Sequence, residues 1–184
     1  PGDKSISHRY AMLAALAEGS SSIANYAPGA DCHATLSCLR DLGVIIKTSD
    51  TEALKNNKPT IRIEGRGSEG LTPPSNILNV GNSGTTIRLL TGILATQSFE
   101  SALTGDASLT SRPMERVITP LTQMGAHITA HNGRAPLTVT GRPLHAIDYI
   151  PDIPSAQVKS AILFAGLQAK GTTTIRRLDS ACVS

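Results

Sequence analysis

Ala17-Glu18-Gly19-Ser20-Ser21-Ser22-Ile23 returns later in the chain as Ala169-Lys170-Gly171-Thr172-Thr173-Thr174-Ile175. Each copy follows an apolar stretch of helical character, residues 10–16 in the first case and 161–167 in the second. A third such stretch, residues 87–94, leads through Ser98 into the strand-like residues 99–103. Self-similarity of this kind decides the fold reading, because each repeat is one supersecondary unit that needs neighbours to bury its apolar face.

The match extends downstream. Leu39-Arg40-Asp41-Leu42-Gly43-Val44-Ile45-Ile46 is paralleled by Leu121-Thr122-Gln123-Met124-Gly125-Ala126-His127-Ile128. Both read as a helix stopped by a glycine, where positive φ is cheap, and then a strand. Residues 59–65 and 136–141 follow with the two-residue alternation of a half-buried strand. The unit is helix, strand, helix, strand, strand.

The expected fold is therefore α/β (α+β), with two full copies at about residues 4–65 and 82–141 and a partial third at about 150–184. Residues 56–58 read as a turn, 68–74 as a Pro/Gly connection and 105–113 as a long polar loop. Pro113 is expected to open the next helix, with Arg112 just before it. A stack of units cannot bury its core with one member halved, so the C-terminal edge reads as a truncation. The opening Pro1-Gly2-Asp3-Lys4, without Met, reads as an excised beginning.

Composition narrows the function. The 184 residues are 40% hydrophobic and 17% charged, as in an ordinary globular protein. Aromatic content is 3% with no Trp, which argues against a nucleic-acid surface built on stacked bases. The net charge of +3 is spread thinly and suits small anionic substrates. Cys32, Cys38 and Cys182 lack metal-type spacing, and Cys32 and Cys38, six apart on an expected helix, read as reduced, buried or semi-buried thiols of a cytoplasmic protein. The five histidines are dispersed, so no metal site is expected, and no apolar run is long enough to span a membrane.

Three helix starts stand out: Asp3-Lys4-Ser5-Ile6-Ser7-His8-Arg9, Gly81-Asn82-Ser83-Gly84-Thr85-Thr86 and Pro154-Ser155-Ala156-Gln157. Four backbone N–H groups at each start lack intrahelical partners, and the helix dipole adds positive charge there. Gly and Ala let an anion approach, while Ser and Thr add donors. The plainer explanation of such residues is capping alone. Pseudo-symmetry would bring the three starts to one face, and Lys4, Arg9 and Arg112 nearby favour anion binding. The second start is not a phosphate loop of the GxxxxGK[ST] type. Lys4 and Arg9 are expected on one side of the first helix, with Asp3 or Glu18 as alternative ion-pair partners. His8 reads as a partly buried structural histidine, and Lys159 as solvated.

Together these residues resemble the 5-enolpyruvylshikimate-3-phosphate synthase family. The resemblance is carried by residues 1–9, Gly81-Asn82-Ser83-Gly84-Thr85, Gly105-Asp106-Ala107-Ser108-Leu109, Arg112-Pro113-Met114 and Ser155-Ala156-Gln157-Val158-Lys159-Ser160-Ala161. It implies an enolpyruvyl transferase of the shikimate pathway (aromatic amino-acid biosynthesis), with two lobes each built from three βαβαββ units. This chain would be most of one lobe, and the complementary C-terminal lobe would supply the proton-transfer acids. By the same resemblance, Lys4 contacts both substrates, and Ser5 and Arg9 bind shikimate 3-phosphate. Asn82, Gly84 and Arg112 line the phosphoenolpyruvate site. Ser155 and Ala156 hold the phosphate of shikimate 3-phosphate, and Gln157 lies between the substrates. No metal or organic cofactor is implied. Glyphosate is implied as an inhibitor at the phosphoenolpyruvate site, weakened by a methyl group at Gly84.

Two rivals remain. The UDP-N-acetylglucosamine enolpyruvyl transferases have Lys-Asn in place of Lys4-Ser5 and a reactive Cys near Arg112. No Cys lies between Cys38 and Cys182 here, which disfavours them. The other rival is a non-catalytic anion-binding fragment that needs a complementary chain.

Overall fold

The computed structural model describes residues 2–49 and 60–176. Pro1, the turn expected at 56–58, Pro59 and Cys182 lie outside these residues. Chain order begins α1 (Lys4–Leu16), β1 (Glu18–Ala24), α2 (Ala30–Asp41), β2 (Ile45–Ser49) and β3 (Thr60–Arg66). It continues through β4 (Leu78–Asn79), α3 (Gly84–Leu94), β5 (Glu100–Thr104), α4 (Ala107–Thr110), α5 (Glu115–Gln123), β6 (His127–His131) and β7 (Arg134–Thr140). The last described elements are β8 (Asp148–Tyr149), α6 (Ala156–Gly166) and β9 (Thr174–Ile175). The mixed α/β class expected from the repeat pattern is the class observed.

Among the described residues, three sheets support the helices. The first has strand order β1-β3-β2, antiparallel throughout, with Ile23 opposite Ile61 and Ile46 opposite Ile63. The second has order β4-β5-β7-β6, in which β4 runs parallel to β5 and the other pairs are antiparallel. The third is the parallel pair β8-β9. Alternation puts Ile61 and Ile63, and Leu137 and Val139, on the inner faces of their sheets.

Inside these sheets α3 is apolar nearly all round. Ile87, Leu89, Leu90, Ile93 and Leu94 are all fully buried, the signature of an internal helix. It packs on α6 at Gly92, where a Cβ would stand 2.2 Å from the Ala161 carbonyl oxygen. Only a glycine lets the two backbones come that close.

The glycine stops behave as expected. Gly43 and Gly125 have φ of 85° and 98°. Val44 N donates to Leu39 O (3.0 Å), and Ala126 N to Leu121 O (2.9 Å), closing each helix with the same C-terminal bond. The returning strands also share a device. A Cβ on Gly65 would lie 2.1 Å from Ala17 O, and one on Gly141 would lie 1.8 Å from Gln97 O.

The structure departs from the sequence reading in three places. β4 and β8 have two residues each, too few to show any period. The polar run 105–113 is not all loop. Asp106 caps α4 by accepting from Leu109 N (2.8 Å), and Leu109 is fully buried. Finally, α5 begins at Glu115 with Met114 as its N-cap, so Pro113 precedes the helix instead of opening it.

One face stays open. Ile6, Tyr10 and Leu13 of α1, Leu163 of α6 and Leu167 at its C-cap are exposed apolar side chains. Leu13, Leu163 and Leu167 line a groove with Arg9, Ser160 and Phe164. Among the described residues no helix is long and apolar enough to cross a membrane.

Candidate anion-binding cleft

The capping expectation and the binding expectation turn out to be compatible. Asp3 Oδ1 accepts from Ile6 N (2.7 Å), Ser83 Oγ from Thr86 N (3.1 Å) and Ser155 Oγ from Val158 N (3.3 Å). Each cap satisfies one of the unpaired N–H groups at its helix start and leaves others available.

The starts of α1, α3 and α6 converge on one cleft of about 380 Å³. Lys4, Gly84, Thr85, Arg112, Ser155 and Gln157 line it, together with Asp31, Arg88, Arg116 and Val158. Among the described residues, four cations therefore face one carboxylate, a balance that favours anionic ligands. Lys4 forms an ion pair with Asp31, a partner other than the Asp3 or Glu18 that the sequence offered as alternatives. The place of Asp31 beside Lys4 is set by α2 packing on α1, which local sequence does not announce.

Arg112 is held from both sides. Its Nη2 donates to Asn82 Oδ1 and to Ser108 Oγ (3.3 Å), and its Nη1 to Asn82 O (3.4 Å). Asn82 Nδ2 in turn donates to Asp106 Oδ2 (2.7 Å). The Leu109 N–H, the Asn82 amide and nearby Arg112 hold the Asp106 carboxyl below the usual carboxylate range. Asn82 is thus the hinge pin of the Arg112 fork, and a planar fork so fixed suits phosphate or carboxylate.

Arg88 was not singled out from sequence. It lies one turn after Gly84, so the helix start places it on the cleft side. Its Nη1 donates to Gly84 O (2.9 Å) and Gln157 Oε1 (3.2 Å), and its Nη2 to Pro113 O (3.3 Å). Burial, then the neighbouring Arg112 and Arg116 guanidiniums, lower its pKa. Gln157 completes the bridge between helices, its Nε2 donating to Thr85 Oγ1 (2.9 Å).

Arg9 does not share the cleft with Lys4. Five residues of α-helix advance about 500°, leaving the two side chains about 140° apart around the axis. Arg9 instead ties α1 to α6, through Ser160 Oγ (2.9 Å) and Ala156 O (3.2 Å), and donates to Ser5 O (2.8 Å). Ser5 and Ala156 sit beside it, exposed, at the rim of the α1–α6 groove. Lys159 is half-buried.

His8 lies beneath the cleft and does not line it. It is fully buried, with Nδ1 2.6 Å from Thr35 Oγ1. Burial pushes its pKa down to about 4; nearby Asp31 opposes this, while Lys4 and Arg9 add to it. The unfolded imidazole titrates near its ordinary value of 6.5. Between those values the unfolded chain binds the extra proton. His8 stabilisation is therefore complete above about pH 6.5 and falls as pH drops towards about 4, by up to about 3 kcal/mol. Urea unfolding at about pH 7 and about pH 4.5 checks this. His8→Asn should lose less stability on acidification than the parent, and equal losses would count against it.

Cys32 and Cys38 are buried free thiols, and burial pushes Cys38 up to about 12. Neither is a nucleophile at neutral pH.

The family model described as EPSP synthase (3-phosphoshikimate 1-carboxyvinyltransferase) matches residues 1–182. The 3-phosphoshikimate 1-carboxyvinyltransferase of Solibacter usitatus is 52% identical over 176 residues, covering 95% of this chain and 39% of that protein. Its namesake in Bacillus subtilis is 50% identical over 177 residues, covering 95% of this chain and 40% of that protein. A solved EPSP synthase structure from Acinetobacter baumannii superposes with a TM-score of 0.88 at 46% identity, over 97% of this chain and 39% of that one. The chain spans about 40% of the length of these curated relatives.

Proposed function

The chain belongs to the EPSP synthase family, and from that premise we propose that it carries one wall of an enolpyruvyl-transfer site. The reaction joins the 5-hydroxyl of shikimate 3-phosphate to C2 of phosphoenolpyruvate while C3 takes a proton. The tetrahedral adduct then loses phosphate from C2 and the proton from C3. The observation that carries the reading is the single cleft where Lys4, Gly84, Arg112, Ser155 and Gln157 meet.

Each group has a physical task. Arg112, steadied by Asn82, holds the phosphate of phosphoenolpyruvate as its charge grows on departure. Gly84 leaves room for the ligand against the start of α3. Ser155 and Ala156 offer the α6 start to the phosphate of shikimate 3-phosphate. Ser5 and Arg9 receive the other end of that substrate, Lys4 touches both substrates, and Gln157 stands between them. Two βαβαββ units at about residues 4–65 and 82–141, with a partial third at about 150–184, make this chain most of one lobe of a cytoplasmic enzyme. The paired helix stops at Gly43 and Gly125 and the paired strand glycines Gly65 and Gly141 support that division.

The complementary lobe supplies the proton-transfer acids, closes over the substrates and excludes water. The isolated chain is expected to release no phosphate from phosphoenolpyruvate and shikimate 3-phosphate. Adding the complementary lobe of the Bacillus subtilis relative, expressed separately, should restore release that needs both substrates. Steady release by the chain alone would overturn the proposal, and a folded complex that stays silent would favour a non-catalytic anion-binding role.

Gly84 gives a second test. A Cβ there would stand 2.7 Å from Arg88 Nη1 and 3.1 Å from Arg112 Nη1, both ends of flexible side chains. Gly84→Ala should therefore fold but narrow the cleft. In the full-length enzyme it should weaken glyphosate inhibition roughly tenfold, equivalent to about 1.4 kcal/mol. The KM for phosphoenolpyruvate should rise less. Equal changes for both ligands in steady-state kinetics would contradict this.

A further inference from the structure

A chain of buried hydroxyl groups joins three helices directly under the cleft. His8 on α1, Thr35 on α2, and Ser83 and Thr86 at the start of α3 are all buried. His8 Nδ1 is 2.6 Å from Thr35 Oγ1, which is 2.7 Å from Thr86 Oγ1, which is 2.6 Å from Ser83 Oγ. Thr86 Oγ1 also lies 3.4 Å from the carbonyl oxygen of Asp31, whose carboxylate pairs with Lys4.

Proton counting selects one tautomer of His8. With the proton on His8 Nδ1, the imidazole donates to Thr35 and Ser83 donates to Thr86, while the Thr35 and Thr86 hydroxyls serve each other and Asp31 O, which lies 3.5 Å from Thr35 Oγ1 and 3.4 Å from Thr86 Oγ1. Every donor is then satisfied. With the proton on Nε2 the donor is stranded, because among the described residues Nε2 has no hydrogen-bond partner. Protonating both nitrogens strands the same donor and adds a buried charge.

We propose that the chain from His8 through Thr35 to Thr86 is a positioning device for the transferase site. It fixes the Asp31 backbone, and so the Lys4 ammonium, relative to the start of α3. The inference rests on the transferase reading for its effect on activity, though the network itself does not depend on that reading. His8, Thr35 and Thr86 do not line the cleft; they act through Asp31, Lys4 and the α3 start. The low His8 pKa is in keeping with a group that stays neutral in this role. The charged groups facing it are Lys4 and Arg9 on α1 and Asp31 on α2.

The test uses the full-length enzyme. Thr35→Val keeps the shape of the side chain but cuts the network, and should raise KM for both substrates about 5- to 10-fold while kcat changes less than about twofold. Thr35→Ser restores the hydroxyl and should recover most of the loss. His8→Asn places an amide N–H near the Nδ1 position and should behave like Thr35→Ser. His8→Gln reaches towards Nε2 and should behave like Thr35→Val. Parental KM values in Thr35→Val, or equal impairment in Thr35→Val and Thr35→Ser, overturn the proposal.

Arg112→Ala serves as the control. If it also leaves the kinetics at parental values, the cleft is not the phosphoenolpyruvate site and the reading of it as the transferase wall has failed; if it alone is impaired, only the positioning role has. Imidazole nitrogen NMR on the parent decides the network even if Thr35→Val does not fold. A proton on His8 Nδ1 supports it, and one on Nε2 overturns it.

Discussion

Arg112→Ala in the full-length enzyme is expected to lower kcat/KM for phosphoenolpyruvate by about 100-fold, or close to 3 kcal/mol. The size follows from what is lost. Arg112 presents a planar fork whose inner edge is already committed to Asn82 and Ser108. Its orientation is therefore set before a ligand arrives, and little entropy is spent when phosphate binds. Arg88 and Arg116 line the same cleft. Arg88, tied to Gly84, Gln157 and Pro113, keeps its own position and charge in Arg112→Ala, so part of the attraction for phosphate survives. Arg112→Lys keeps the charge but not the fork and should recover only part of the loss. Asn82→Ala should impair the enzyme in the same direction by releasing Arg112. Steady-state kinetics at fixed saturating shikimate 3-phosphate would show this. Parental values in Arg112→Ala would place the phosphate elsewhere.

Gly92→Ala is expected to destabilise the chain, against the usual gain from replacing a helical glycine. Helix propensity alone favours alanine by about 1 kcal/mol. The new Cβ, however, would stand 2.2 Å from the carbonyl oxygen of Ala161 and 3.0 Å from its Cα. Those are backbone atoms of α6, so relief requires the two helices to separate. Overpacking of this kind costs about 3 kcal/mol at the upper end of its usual range. The net loss is about 2 kcal/mol, which lowers Tm by roughly 4–8 °C for a chain of this size. Separation of α3 from α6 would also pull Gln157 away from Thr85 and Arg88, its partners across the cleft. Thermal unfolding followed by circular dichroism measures the first effect. A Tm equal to or above that of the parent would show that the interface is looser than the structure describes.

What the sequence disclosed and what it hid divide along physical lines. Gly43 and Gly125 could be read as helix stops because positive φ is a local demand that glycine meets at little cost. Asp3, Ser83 and Ser155 could be read as caps for a similar reason, since the cap bond spans three residues. Elements of two residues, β4 and β8, have no period to detect. The buried Leu109 was masked by its polar neighbours, so α4 passed for loop.

Tertiary partners were hidden most thoroughly. No local pattern announces that Asp31 lies against Lys4, that Arg9 faces Ser160, or that Gly92 faces a carbonyl of another helix. The candidate site residues were named through motifs, and the cleft gathers only some of them. Lys4, Gly84, Arg112, Ser155 and Gln157 line it. Asn82 stands behind Arg112, while Ser5, Arg9 and Ala156 lie towards the α1–α6 groove. Arg88 was within reach of helical spacing from Gly84. Asp31 was not within reach of any sequence rule.

The central claim is that the starts of α1, α3 and α6 form one anion-binding wall of a transferase site. A crystal structure of the full-length enzyme with shikimate 3-phosphate and glyphosate bound tests it most directly. The anionic groups of glyphosate are expected between Arg112 and the α3 start, and the phosphate of shikimate 3-phosphate at the α6 start beside Ser155. Ligands seated instead at the far ends of α3 and α6, in the cleft lined by Arg142 and Lys170, would contradict it.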